Sequence, residues 1–480
     1  MKKVVIIGGG IAGLATAYHL LEGARKRGCT GLEVILVEKG DRVGGNIRTE
    51  RIGGFLIEGG PDCFLSEKPW AMQLCKRLGL APRLLPTSRP RGKTFVFSGS
   101  KLHLLPEGVI LMVPTRMLPL LTSSLISLPG KIRMALEVFV PRRDPSKGDE
   151  SLGDFVRRRL GREALDKIAE PLVAGVHAGD PETMSIRSSF PRFVELEERY
   201  GSLIRGMLAR MRATKAGGGG KAPGVTMFMT LKGGLGELID AILEKIKDVS
   251  IRTNTRVVSI REGRRYTLLM DDGSSMEADS VVVATPAYVA AELLDGVDRR
   301  LSERLLTIPY TSTATVSLGY KKKDIAHPLD GFGFVVPGTE KRRIMAATWS
   351  SVKWEGRAPE DSVLIRCFVG GARNEDLVFL DDRGMTEMVR QELRDIMGIE
   401  AEPVLVRIFR WRKAMPQYTI GHAERVKEIE GMASSHPGLY LTGSAYHGIG
   451  ISDTAREAEE TAGRVLGYLY GDKAGASSGS

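Results

Sequence analysis

Gly8, Gly10 and Gly13 stand in GxGxxG spacing, directly after the apolar run Val4 to Ile7 and before the helix-forming stretch LATAYHLLEGARKRG. Each glycine has its own task. Gly8 permits a tight turn, Gly10 lets the backbone approach a pyrophosphate, and Gly13 lets helix and strand pack closely, with phosphate at the helix N-terminus. Gly9, Ile11 and Ala12 complete the loop, and the next strand-like run, LEVILVEKG, ends in Glu38 with Lys39 beside it. A carboxylate at that strand end accepts both hydroxyls of an adenosine ribose. The spacing predicts a dinucleotide-binding βαβ unit, a unit that NAD and FAD share.

Two glycine turns just beyond the second strand discriminate between them. Gly44 and Gly45, with Asn46 after them, make one, and Gly59, Gly60, Pro61 and Asp62 make the other. Both are places where backbone can come close to a ligand. The ordered set resembles the flavin-containing amine oxidase superfamily, in which RxGG follows the acidic strand end and FAD is bound extended. The resemblance implies FAD, with Gly44 and Gly45 near its diphosphate and ribityl chain and Gly59 to Pro61 near the flavin. Far along the chain, Leu439 to Leu441 reads as another parallel strand, Gly443 as its exit, and Gly448, Ile449, Gly450, Ile451, Ser452 and Asp453 as a turn into the last helix. Backbone NH groups around Ile451 to Asp453, aided by the helix dipole, would stabilise negative charge at the N1/C2 carbonyl locus of a reduced flavin.

The elements that position these turns need a large chain. At 480 residues and roughly 100–200 residues per domain, two or three domains are expected. The fold class is α/β: a Rossmann-like FAD-binding domain with an inserted α+β substrate-binding domain and a helical domain. The expected divisions are 1–92, 225–297 and 404–471 for the discontinuous FAD-binding domain, 93–224 for a helical domain facing substrate or membrane, 298–403 for an antiparallel-sheet substrate domain, and 472–480 for a disordered tail. Hydrophobic residues make up 42% and charged residues 26% of the chain, with no apolar run long enough to span a membrane. The formal charge of +11 is not concentrated with aromatics in a compact domain, so nucleic acid is not an expected partner. Short proline-broken apolar segments between Leu102 and Arg143, with Arg116, Lys131, Arg133, Arg142 and Arg143, suit either a membrane surface or a helical core. The four cysteines have no metal-site spacing, and neither metal nor disulfide is expected. The amino terminus runs at once into structural strand and turn, which points to the cytoplasm, with peripheral contact at the inner face of the membrane left open.

From residue 1 to about 470 the chain also resembles the protoporphyrinogen and coproporphyrinogen oxidase family of haem synthesis. The words that carry this are GGPDCF, PRFVELEERYGSLIRGM, RWRKAMPQYTIGH and GLYLTGSAYHGIGISD. The resemblance implies FAD contacts from Gly8 to Gly13, Glu38, Asn46, Gly59 to Asp62, Val257, Trp411 and Gly448 to Asp453. It implies substrate contacts from Phe332, Gly333, Val335 and Phe368. The implied activity is six-electron oxidation of a porphyrinogen, with dioxygen reoxidising the flavin to give peroxide; a homodimer is compatible with it.

Two positions depart from the family pattern. Thr94 stands where the mitochondrial-type enzymes carry a propionate-pairing arginine, leaving Lys93 or Arg91 to substitute, as in a form resembling the Gram-positive enzymes that act on coproporphyrinogen. Ser452–Asp453 stands where Pro-Asp is usual. No dedicated acid or base is expected, and His103, His177, His422 and His447 read as structural. The competing readings are another FAD amine oxidase, a carotenoid desaturase, or a non-enzymatic FAD-bound scaffold.

Overall fold

The computed structural model describes residues 1–89, 92–106, 109–110, 113–114, 117–216 and 224–471. Arg91, Arg116, most of the glycine-rich loop before Gly224 and the 472–480 tail lie outside the described residues. The first apolar run is β1 (Lys2–Ile7), followed by α1 (Ile11–Arg27) and β2 (Leu32–Val37). Three strands return from far along the chain: β3 (Ser250–Arg252), β4 (Ser280–Val283) and β5 (Leu439–Leu441). All pair in parallel, in the order β3-β2-β1-β4-β5.

Burial on both faces explains why these strands read as continuous apolar runs. Val4, Ile6, Val34, Leu36 and Val282 face a core shared with α1 and with α2 (Ile451–Tyr470). Val5, Ile7, Ile35, Val37, Val281 and Val283 face the opposite core, closed by the three-stranded antiparallel sheet Val257–Arg261, Tyr266–Met270 and Ser275–Ala278 and the helix Ala287–Leu294.

The second large element is a seven-stranded sheet in the order Leu405–Pro416, Tyr310–Lys321, Ser362–Gly370, Ile344–Trp349, Gly333–Val335, Thr94–Ser98, Lys101–Leu104. All its pairs are antiparallel except Gly333–Val335 with Thr94–Ser98. Ile365, Cys367 and Val369 pack one face onto the helix Asp382–Met397 through Met385, Val389 and Leu393. Val96, Val335, Ala346 and Phe368 turn the other way, toward a helical layer that includes Leu152–Arg159, Glu170–His177 and Pro191–Tyr200. Ser151 caps the first of these, its Oγ accepting from the Asp154 amide at 2.9 Å.

The expected divisions therefore split this sheet, placing 94–104 with 93–224 and 405–416 with 404–471 rather than with 298–403. Residues 94–104 and 405–416 are its two flanks, recruited by ladder hydrogen bonds to partners far along the chain, Thr94 beside Gly333 and Leu405 beside Gly319. Local sequence carries no record of such pairing.

Candidate active site

The helices α1 and α2 begin in the same way. Each has a glycine N-cap, Gly10 and Gly450, with no side chain capping it. The first amides of each helix therefore have no intrahelical acceptor, and both ends attract anions. The first helical bonds run from Leu14 N to Gly10 O and from Thr454 N to Gly450 O, each at 3.0 Å. The exit of β5 lies beside the first turn of α1: a methyl group at Gly443 would lie 3.8 Å from the Ala12 Cβ.

Close backbone approach shapes the first turn. A Cβ on Gly13 would stand 2.0 Å from Gly8 O, while the space above Gly10 is open. Glu38 braces the loop, its carboxylate accepting from Gly9 N at 2.7 Å and Gly40 N at 2.8 Å, and Lys39 is exposed beside it. Thr255 N donates to Glu38 O at 3.0 Å, which brings the strand beginning at Val257 to the same edge. The second turn is stitched to the first by Gly44 N on Gly9 O at 2.7 Å. Arg42, absent from the expected contacts, holds this turn by donating to Gly45 O at 2.8 Å and to Val43 O at 3.1 Å.

The turn at Gly59 to Asp62 is gripped from the seven-stranded sheet. Gly59 O accepts from Thr315 Oγ1 at 2.9 Å and from Trp411 Nε1 at 2.8 Å, and Arg366 donates to Gly60 O. Gly60 itself lies hard against the Asn46 carbonyl, where a Cβ would approach to 1.7 Å. Beneath the turn is a partly buried charge cluster that sequence reasoning missed. Asp62 accepts from Lys353 Nζ at 3.1 Å and Trp354 Nε1 at 2.9 Å. Burial disfavours its ionised form, but the charges of Lys353 and Arg366 win and hold its carboxyl well below the usual range. Lys353 and Arg366 lie in helix and strand stretches with no motif spacing to mark them.

On the sheet face opposite the Asp382–Met397 helix, register places Phe409, Thr315, Phe368, Ala346, Val335 and Val96 in one transverse row. The neighbouring row is Arg407, Ser317, Arg366, Thr348, Gly333 and Thr94. The expected substrate positions Gly333, Val335, Phe368 and Thr94 thus fall in adjoining rows of one sheet, with the Arg366 guanidinium 4.9 Å from the centre of the Phe368 ring. Phe332 lies just outside that strand, pressed against Gly92, where a Cβ would stand 1.9 Å from its ring. Lys93 is ion-paired with Asp330 at the surface, alongside Arg89.

At the last turn, Asp453 accepts from Lys68 Nζ at 2.8 and 2.6 Å. A side chain on Gly448 would collide with the Asp453 Cβ at 2.4 Å, and Gly448 N donates to Tyr418 Oη at 2.8 Å. Ser452 ties α2 to the start of the helix Pro69–Arg77, Oγ donating to Lys68 O at 3.1 Å; serine supplies a bond at the position where the family pattern carries proline. Ile449 and Gly450 complete the turn, partly exposed.

Comparison with known proteins places this geometry. Residues 11–466 match the family described as flavin containing amine oxidoreductase. The chain belongs to that family. It is 37% identical to the coproporphyrinogen III oxidase of Bacillus subtilis over 98% of this chain and 99% of the relative. It is 33% identical to the coproporphyrinogen III oxidase of Staphylococcus aureus, over 98% of this chain and 100% of the relative. The solved structure of an Exiguobacterium protein named putative protoporphyrinogen oxidase superposes with a TM-score of 0.84 at 33% identity, covering 97% of this chain and 98% of that one.

Members of this flavin family use FAD, and the site fits it. Two uncapped helix starts at one sheet edge, open space over Gly10 and a carboxylate at the β2 end provide donors for phosphate and acceptors for ribose. Gly8 to Gly13, Glu38, Gly45, Asn46, Gly59 to Asp62, Val257, Trp411, Gly443 and Gly448 to Asp453 are brought to that edge or bonded to residues that are. Lys93 and Phe332 stand apart from the rows that join the other expected substrate positions.

Proposed function

We propose that this chain is a coproporphyrinogen III oxidase, converting the porphyrinogen to coproporphyrin III in six-electron oxidation with three dioxygen molecules reduced to hydrogen peroxide. The observation that carries this is end-to-end similarity to enzymes of that name, 37% over 98% of the chain. Bound FAD supplies the two-electron acceptor for each step. In this reading the α1 start takes the diphosphate, Glu38 takes the adenosine ribose, and the α2 start faces the redox ring, where its free amides favour negative charge. The row from Thr315 to Val335 offers a flat, largely apolar floor for a macrocycle, and the helical layer over it excludes bulk water.

The test is aerobic porphyrin fluorescence after adding the yellow protein to coproporphyrinogen III and, separately, protoporphyrinogen IX. Faster turnover of coproporphyrinogen than of both the control and the other substrate supports the assignment. Equal or faster turnover of protoporphyrinogen reassigns the substrate, and no acceleration of either sinks the reading.

We also propose peripheral attachment to an anionic membrane. No helix among the described residues is long and apolar enough to cross one. Leu121, Leu128, Ile132, Leu136 and Phe139 are nevertheless exposed, Phe139 by 75%, next to Lys131 and Arg142. Their underside is anchored by the buried Glu137, which accepts from Leu203 N at 2.8 Å and pairs with Arg159. Sedimentation with phosphatidylglycerol vesicles checks this: a double variant I132E/F139E should stay in the supernatant while the parent protein pellets.

A further inference from the structure

Oxidation of a porphyrinogen releases protons as well as electrons. Each two-electron step takes one hydrogen with its electron pair from a meso carbon and one proton from the remaining ring system, first from a pyrrole nitrogen. Bound FAD would supply the two-electron acceptor, and dioxygen, taking the transferred hydrogen with its electron pair and one proton, would leave as hydrogen peroxide. A base within reach of the macrocycle accelerates loss of the proton.

The carboxylates of the site are committed elsewhere. Glu38 braces the first turn, Asp62 is paired with Lys353, and Asp453 with Lys68. The histidines differ among themselves. His19 lies near Glu22, His327 accepts from Leu329 N, His103 bonds Ser98 and Ser124, and His422 bonds Tyr446 O. His436 sits between Glu262 and Asp298, and His447 on Glu430. Among the described residues, His177 is the histidine whose ring nitrogens make no hydrogen bond or ion pair.

Its place is specific. His177 ends the helix Glu170–His177, whose Gly175 comes against the substrate-facing row, a Cβ there lying 3.6 Å from Val335 and 3.9 Å from Ala346. The backbone is fixed by Gln417 Nε2 donating to His177 O at 3.1 Å, and the ring is held edge-on by Phe190 at 5.3 Å. Burial, with the nearby Lys68 charge, pushes the imidazole down to about 4, so it is neutral with a free lone pair at physiological pH. Lys68 is the same residue that pairs with Asp453 on the first turn of α2.

We infer that His177 is the proton acceptor of the reaction, taking the pyrrole N–H proton onto an unoccupied ring nitrogen as the meso hydrogen departs, then giving it to water. This rests on the porphyrinogen reading. It also reverses the expectation that His177 is structural and that the site has no base.

The experiment compares the wild type with H177A and H177Q, each purified with FAD. For H177A, kcat on the better porphyrinogen should fall about 100-fold with KM within threefold. Coproporphyrin III binding, followed by porphyrin fluorescence, should change less than threefold. Imidazole added to H177A should restore at least a tenth of the lost rate, and H177Q, which accepts a hydrogen bond but no proton, should remain slow. A kcat within threefold of the wild type in either variant overturns the inference, as does a fall that imidazole does not repair or that loss of porphyrin binding accompanies. Wild-type protein that turns over no porphyrinogen defeats the underlying reading instead, so the two failures are distinguishable.

Discussion

At the carboxyl edge of the five-stranded parallel sheet, the proposed cofactor contacts are backbone: free amides at the starts of α1 and α2, and carbonyls pressed against Gly13 and Gly60 at distances that exclude any side chain. Across the seven-stranded sheet the proposed substrate contacts are side chains, Thr315, Phe368, Ala346 and Val335, which meet because strands distant in sequence pair in a given register. The first region needs residues without bulk at fixed spacing. The second needs only that parity be kept across four strands, so many sequences satisfy it.

The difference predicts separable failures. The largest effect is expected from Gly13→Ala, whose methyl group would overlap Gly8 O at 2.0 Å; the protein should purify without its yellow colour, with flavin absorbance per chain reduced at least tenfold. If G13A retains FAD, backbone approach is not what holds the cofactor. Phe368→Ala should do the reverse, keeping FAD while lowering kcat/KM for the porphyrinogen by about tenfold or more. Loss of flavin from F368A would merge the two regions into one.

A smaller effect tests whether the helix that carries the second anion-receptive end tolerates charge behind it. Glu457 is buried in α2, its Oε2 has no partner, and burial pushes its carboxyl up to about 7. A carboxyl raised in the folded state above its ordinary ~4.3 favours folding at low pH, and that contribution disappears as pH rises toward 7. Glu457→Gln should therefore raise the Tm at pH 8, by the equivalent of roughly 1–3 kcal/mol, and leave it nearly unchanged at pH 4. Equal melting shifts at both pH values would show that the carboxylate is not the cause. The smallest effect belongs to Lys93→Ala: an ion pair with Lys93 and Asp330 each about half exposed contributes at most about 1 kcal/mol, and kcat/KM should stay within twofold. A tenfold loss would restore Lys93 as a propionate partner.

The glycine spacing, Glu38 at the end of β2, and the last turn at Gly448 to Asp453 were legible in the sequence, because tight turns and uncapped helix starts demand particular residues at particular intervals. The parallel strands Val281 to Val283 and Leu439 to Leu441 were legible too, since burial on both faces leaves an unbroken apolar run. Arg42 was visible in the RxGG word yet overlooked as a group that pins its own turn.

Primary sequence by itself determined that this chain carries a Rossmann-like FAD-binding unit and where its glycine turns open into α1 and α2, since those features are local to a turn and its helix. Tertiary structure decided the rest: that Thr94 joins Gly333 in one ladder, that Lys353 and Arg366 hold Asp62 ionised beneath the Gly59 turn, and that His177 alone among its described kind keeps both ring nitrogens free. Pairing register, buried charge and unoccupied lone pairs are properties of neighbours in space, and the residues that make them are separated by up to hundreds of positions along the chain.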